Sequence, residues 1–364
     1  MSATHNVVTL SANDGSRIQF IDEPFAFGSL KDVHLSPDRD YVVAFYREPA
    51  SEEDRRRLEK IVAFQQQNAR LDDAVFIFPT QTVEWNGRFG YVAPAIPQRF
   101  YFADGDIAGK EKYAKWFASS QLFNRFIPDG EKGALGDYLH ICQKLANAIE
   151  RLHAAGFAHG DLSYNSILVS PKDRDLCVLG ADALIVPGVL PPKILSDPDV
   201  LAPEIVKTSR LPSVETDRHA LAVLFYTLLF HRHPLRGSTV YSLDPDTQER
   251  LEMGERALFV EHPTDDSNRL DPDEKHAPWN DTQALPYTLL GQPLANLFRQ
   301  AFVDGLHCPS QRPTAAQWAS AFEQTSKALI PCDNPACVIK EFVEIAEGST
   351  SCPYCRAVAQ TASR

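Results

Sequence analysis

The hydrophobic pattern divides the chain into a first third of short alternating runs and a longer remainder ruled by helical periodicity. Arg17–Ile21 alternates apolar and polar residues, and Tyr41–Tyr46 is β-branched and aromatic behind a Ser36-Pro37-Asp38 turn, so both predict strands. Residues 74–78 and 89–93 predict two more. Between them Ser51 opens a charged helix, with Asp54 at the capping-box spacing and Leu58, Ile61 and Val62 on one face. After Gly133, Leu135, Tyr138, Leu139, Cys142, Leu145, Ala146, Ile149 and Leu152 recur at helical spacing, and Gly156 suits a left-handed stop. Short strands at 166–169 and 176–179 follow, joined by a turn at 171–174. A proline-rich connection, 187–203, leads to 220–230, which is apolar on nearly all sides and therefore predicted to be buried in a sizeable domain. Residues 239–281 are polar and acidic and read as a long surface insertion, after which helices return at 285–303 and 314–329.

Composition narrows what such a chain can do. With 364 residues, 44% of them apolar and 23% charged, a large core can be buried and wholesale disorder is excluded. A net charge of −12 disfavours a nucleic-acid binder, which needs clustered cations on the phosphate backbone. The longest apolar run, 220–230, is 11 residues and too short to cross a bilayer, so no membrane partner is expected. The first residues carry no basic patch followed by a hydrophobic stretch, so the expected location is the cytoplasm.

Seven cysteines are unevenly spread. Cys142, Cys177 and Cys308 are isolated, as buried thiols usually are, whereas Cys332, Cys337, Cys352 and Cys355 crowd the end of the chain. A disulfide staple is one solution for them; a reducing cytoplasm argues for metal instead. Two short-spaced pairs on turns can converge on tetrahedral Zn2+, with 338–345 forming a small hairpin or strand between them. So short a tail needs such a staple, or docking, to fold, and four thiolates leave no open coordination position, which makes the zinc structural.

The stretch His159-Gly160-Asp161-Leu162-Ser163-Tyr164-Asn165-Ser166 resembles the catalytic loop of protein kinases, His-Arg-Asp-Leu-x-x-x-Asn. Further matches follow in family order. Ala202-Pro203-Glu204 resembles the end of the activation segment, Asp217 opens the buried helix, His233-Pro234-Leu235-Arg236-Gly237 resembles the motif after it, and Arg312 is similar to the late arginine that pairs with Glu204. The resemblance spans about residues 17–328 and implies an α+β, bilobal kinase fold with a small β-rich lobe and a larger helical one. Asp161 then takes the catalytic position, and His159, Glu204, Asp217 and Arg312 take structural ones.

Several chemical positions depart from the family pattern. Phe45 or Tyr46 stands where the third-strand lysine is expected, and Arg47 is the nearest cation. Ser166 stands at the asparagine that ligates the second metal, with Asn165 one residue early. Gly180 replaces the Asp-Phe-Gly aspartate, and Asp182, two residues on, shares its face if the strand alternation continues. The nucleotide-covering loop keeps Gly28 alone of the usual three glycines, and Phe25 or Phe27 can fill the pocket. Gly160 replaces the arginine that receives an activation-loop phosphate, and 181–201 offers only Ser196 as a hydroxyl, so control by loop phosphorylation is not expected.

The implied domains are an N-terminal tail (1–16), a small lobe (17–93), a large lobe (94–329, with the insertion at about 239–281) and a zinc ribbon or knuckle with its tail (330–364). A kinase-like domain closing in Cys352-Pro-Tyr-Cys355 resembles bacterial proteins associated with von Willebrand A-domain proteins and PP2C-type phosphatases in tellurite-resistance-type stress systems. The resemblance implies those proteins as partners, structural zinc, and ATP with Mg2+ as the nucleotide ligand. The expected function is a pseudokinase, a signalling or scaffold module that binds nucleotide. An active Ser/Thr kinase would use Asp161, Asp182, Asn165 and Arg47 in shifted roles. A scaffold without nucleotide would use the zinc tail and the acidic 241–274 segment, with its 11 Asp or Glu against three Arg.

Overall fold

The computed structural model describes residues 6–27, 30–68, 75–192, 197–208, 210–271, 285–337, 339–344 and 352–355. The chain forms two compact units, Met1–Gln98 with Cys177–Ile194, and Arg99–Leu176 with Leu195–Arg364.

The first unit opens with an antiparallel hairpin of β1 (Val7–Ser11) and β2 (Arg17–Ile21), in which Val7 faces Ile21. Strands β3 (Ala26–Phe27), β4 (Lys31–Leu35) and β5 (Tyr41–Tyr46) precede helix α1 (Glu52–Gln67), and β6 (Gln81–Trp85) and β7 (Arg88–Pro94) follow it. They form one antiparallel sheet of order β3-β4-β5-β7-β6. Ser51 and Asp54 close the capping box on α1 that their spacing predicts, and Leu58, Ile61 and Val62 are buried. Val43, Phe45, Val83 and Val92 of the sheet pack with Ile18 and Phe20 of the hairpin. The predicted N-terminal tail therefore holds a strand, whose half-buried residues complete the cover of this core. Residue 74 of the predicted 74–78 strand lies outside the described residues, and 75–78 form no strand: among them only Phe76 makes a bridge, to Val178. Strands β4 and β6 escape the pattern because polar residues interrupt their apolar runs.

The second unit is mostly helical. Short α2 (Lys115–Ala118) and α3 (Ser120–Phe126) lead to α4 (Leu135–Ala154), which ends before Gly156 at φ +79°. Strand β8 (Ile167–Ser170) and β9 (Asp175–Val178) follow, and the chain leaves this unit within β9. Then come α5 (Pro203–Thr208), α6 (Val214–Phe230), α7 (Pro245–Arg250), α8 (Gln292–Arg299) and α9 (Ala315–Lys327). Helix α6 is buried along nearly its whole length: Phe225 meets Trp318 and Phe322, and Tyr226 meets Phe298 and Phe302. Last, β10 (Leu329–Pro331) and β11 (Glu341–Val343) pair antiparallel.

The expected surface insertion is exposed over much of its described length but packs at several points. Met253, Ala257, Phe259 and Val260 are buried, Glu252 bonds Arg236 at 2.9 Å, and the Asn268 amide donates to the carbonyls of Leu235 and Leu258. These buried positions fall on turns and a π-helical stretch, Leu251–Glu255, so no 3.6-residue period marks them. The rest of the insertion, 272–284, lies outside the described residues, as does Ser196. Among the described residues no helix is long and apolar enough to cross a membrane.

Candidate functional site

The catalytic-loop segment is built around Asp217, near the start of α6. Its carboxylate accepts the backbone N–H of His159 at 2.6 Å and of Gly160 at 2.9 Å, and the His153 imidazole lies 3.0 Å away. Charge-assisted bonds to backbone N–H groups hold the turn rigidly. Gly160 adopts φ +75°, a conformation in which an arginine would be strained, so the glycine belongs to this form of the turn. The Asp161 N–H donates to Nδ1 of the fully buried His159 at 3.3 Å. The two expected metal ligands behind Asp161 diverge. The Ser166 hydroxyl accepts the Ser163 N–H at 2.8 Å and donates to the Ser163 carbonyl at 3.2 Å, so it is committed to its own turn. Asn165 is exposed and lines a cleft of about 990 Å³ with Lys115, Arg125, Tyr164, Asp197 and Arg236.

The far wall of that cleft includes His231, at the left-handed C-cap of α6, whose Nδ1 meets the Phe117 carbonyl at 2.5 Å. Burial pushes its imidazole down to about 4, with the Arg232 guanidinium acting in the same sense. The folded protein thus holds His231 neutral, while the unfolded chain protonates it at an ordinary value of about 6.5. The resulting stability is present above pH about 6.5 and is lost as pH falls toward 4, by up to about 3 kcal/mol. A urea-unfolding series over that range should show this loss, and His231→Asn, which tolerates the left-handed backbone, should flatten the acid limb. Equal slopes for the two proteins would refute the assignment.

Glu204 and Arg312 pair as the sequence predicts, through two parallel bonds of 2.7 Å each. The fully buried guanidinium also donates to the carbonyls of Glu215, Gly305 and Leu306.

The phosphate-side residues of the first unit differ from expectation. Since Phe45 is spent on the hairpin core, Tyr46 is the residue at the lysine position, on the opposite face of β5. Arg47 shares the Phe45 face, where its Nε bonds Asp32 at 2.9 Å and its guanidinium also donates to the Lys31 carbonyl at 3.3 Å. Lys31, which the sequence reading passed over, faces Tyr46 across β4 and β5 in register. Its ammonium forms an ion pair with Asp182 and lies 5.0 Å from the Tyr46 ring centre and 5.2 Å from that of Tyr91. Lys31 is the only lysine in the first 59 residues, and that is the signal that could have singled it out.

Asp182 reaches this place by a route other than strand alternation. Strand β9 stops at Val178, Gly180 turns at φ +80°, and Asp182 follows in a short 3-10 turn, Ala181–Ala183. Burial alone would raise the Asp182 carboxyl; the Lys31 ammonium and the Tyr91 hydroxyl outweigh it and hold the group below the ordinary aspartate value. The inward cation of α1 is Arg57, tied to Asp54 at 2.6 Å and to the Leu190 carbonyl at 2.7 Å. Phe25 is 61% exposed and fills no pocket; Gly28 and the Phe27 side chain lie outside the described residues. A hard carboxylate beside an ammonium fits one metal ligand and one phosphate contact.

At the chain's end, Cys332, Cys337, Cys352 and Cys355 bring their Sγ atoms within 4.8 Å of one another, with the Cys332–Cys355 pair at 3.5 Å and the Cys337–Cys352 pair at 3.9 Å. Tetrahedral bonds of about 2.3 Å set sulfurs about 3.8 Å apart, whereas a disulfide needs about 2.05 Å, so this set fits a metal ion. The strand pair beside it packs on α4 of the same unit: Glu341 Oε2 accepts the Gly136 N–H at 2.9 Å, in the first turn of that helix.

Residues 118–320, more than half of the chain, match the family model of the protein kinase domain. No curated protein matches the chain.

Proposed function

Given that the chain belongs to the protein kinase domain family, we propose that it is a degenerate kinase, a pseudokinase, which binds nucleotide and serves as a signalling or scaffold module. The observation that carries this reading is the closure of the Ser166 hydroxyl on the Ser163 backbone. Phosphoryl transfer depends on an aspartate that orients the acceptor hydroxyl and on metal held by two side chains. Asp161 supplies the first, and Asp182 supplies one metal ligand. Asp182 would hold Mg2+, which would supply charge neutralisation at the phosphates, and Ser166, closed on its own turn, would add no second strong ligand to fix it. Losses within such a cooperating unit cost orders of magnitude in rate.

Titration with ATP and Mg2+ should raise the thermal midpoint, as a ligand that binds only the folded state does. Phosphate transfer to protein substrates should stay at background in the same samples. Robust transfer that Asp161→Asn abolishes would overturn the reading. One observation favours the second reading, an active Ser/Thr kinase: Lys31 and Asp182 place a cation and a carboxylate together despite the altered strand.

The cysteine set is the site of a structural Zn2+, in keeping with four soft ligands at tetrahedral spacing. On the resemblance of its tail, the protein is assigned to a bacterial stress-response system, with a von Willebrand A-domain protein and a PP2C-type phosphatase as partners. Co-purification of tagged protein with both candidates, lost on deleting residues 330–364, tests that assignment.

A further inference from the structure

Lys31 holds an unusual place. It stands at the first position of β4, directly across from Tyr46, and it is the cation that meets the buried carboxylate of Asp182. Three observations bear on its role. Tyr46 and Tyr91 lie on its face of the sheet and enclose the ammonium, so its direction is fixed by two aromatic surfaces as well as by charge. The other cations of this unit near the strand are engaged elsewhere: Arg47 and Arg88 with Asp32, and Arg57 with Asp54. Among the described residues Asp182 is the carboxylate that pairs with the Lys31 ammonium, while the inward cation of α1, Arg57, pairs with Asp54.

We infer that Lys31, donated from β4 and not from the neighbouring strand, is the residue that contacts the phosphates of a bound nucleotide, and that it does so by exchanging Asp182 for phosphate. This rests on the nucleotide-binding reading above. In the unliganded protein the ammonium and the carboxylate neutralise each other. A nucleoside triphosphate carries phosphate oxygens for Lys31, and its divalent cation takes the carboxylate that Lys31 gives up. Each arrival leaves the other partner of the ion pair uncompensated in a buried place, which is costly unless both arrive together. Nucleotide and divalent cation therefore favour each other's binding, and reciprocally so. Tyr46 marks the place a lysine would reach from β5, since its ring lies against the same ammonium.

The experiment is a calorimetric or thermal-shift titration of the full chain with ATP, with and without Mg2+, on four proteins: wild type, Lys31→Met, Arg47→Met and Lys31→Met/Tyr46→Lys. Wild type should bind ATP at least tenfold more tightly with Mg2+ than without. Lys31→Met should weaken binding at least tenfold, Arg47→Met less than threefold, and the double variant should recover most of the loss. Recovery in the double variant also separates a lost contact from a damaged fold. Lys31→Met binding like wild type, or a failure of the double variant to recover, overturns the Lys31 assignment while leaving nucleotide binding intact. If wild type binds no ATP in either condition, the nucleotide-binding reading falls and the assignment falls with it.

Discussion

Replacing Arg312 by leucine should cost the larger unit about 3–5 kcal/mol, enough to remove much of the stability of an ordinary domain. The guanidinium is fully buried and makes two bonds to Glu204 and further bonds to the carbonyls of Glu215, Gly305 and Leu306. An apolar side chain there abandons the Glu204 carboxylate and three carbonyls at once, and a buried group that loses its partner carries its full desolvation penalty. Arg312→Lys should recover little, because one ammonium cannot reproduce a planar fork that reaches both carboxylate oxygens. Glu204→Gln, which keeps the shape but loses the charge, should fall between wild type and Arg312→Leu. Urea unfolding followed by the fluorescence of Trp318, which lies in the same core, gives the comparison. A loss below about 1 kcal/mol for Arg312→Leu would mean that the pair behaves like an exposed one and that the packing argument is mistaken.

The second large effect concerns the tail. Chelation, or Cys352→Ser, should unfold residues 330–355, because structural zinc supplies on the order of 10–16 kcal/mol of apparent binding free energy to small sites of this kind. Apart from the cysteines, the described part of the tail buries little besides Phe342, Val343 and Tyr354, too little to close a core alone. Amide exchange at Leu135 and Gly136 should then accelerate, since the N–H groups of these two residues bond Ile339 and Glu341 of the tail. Metal analysis of fresh protein should give one zinc per chain. A chelated protein whose tail stays protected from exchange and protease would rule the metal out as its staple.

How much of this was legible in the sequence depends on whether the deciding contact is local. Helix α4, helix α6 and the capping box at Ser51 follow from periodicity within single segments, and they form where expected. The Glu204–Arg312 pair crosses 108 positions yet was reachable through motif order. Lys31 stands out in the sequence only as the single lysine of the first 59 residues; its place opposite Tyr46 lies in the register of β4 against β5, which no pattern within either strand encodes. Asp182 was reached for an incomplete reason: the left-handed Gly180 and the turn after it, rather than an unbroken strand, bring the carboxylate to Lys31. The half-buried β1 strand and the packed stretch around Met253 and Phe259 were hidden for a related reason, as their apolar residues are placed by partners distant in sequence or by irregular turns.

Asp217 bears on how such chains are to be compared. Its carboxylate joins the end of α4, the turn at His159 and Gly160, and the start of α6, tying three segments together. A residue with that duty is kept by folding alone, whether or not any phosphate is ever moved. Its presence is therefore silent about turnover, and so is that of Glu204 and Arg312. Information about chemistry resides in side chains whose removal the fold would scarcely notice, such as the exposed Asn165, and it is there that an active relative and a silent one would diverge first.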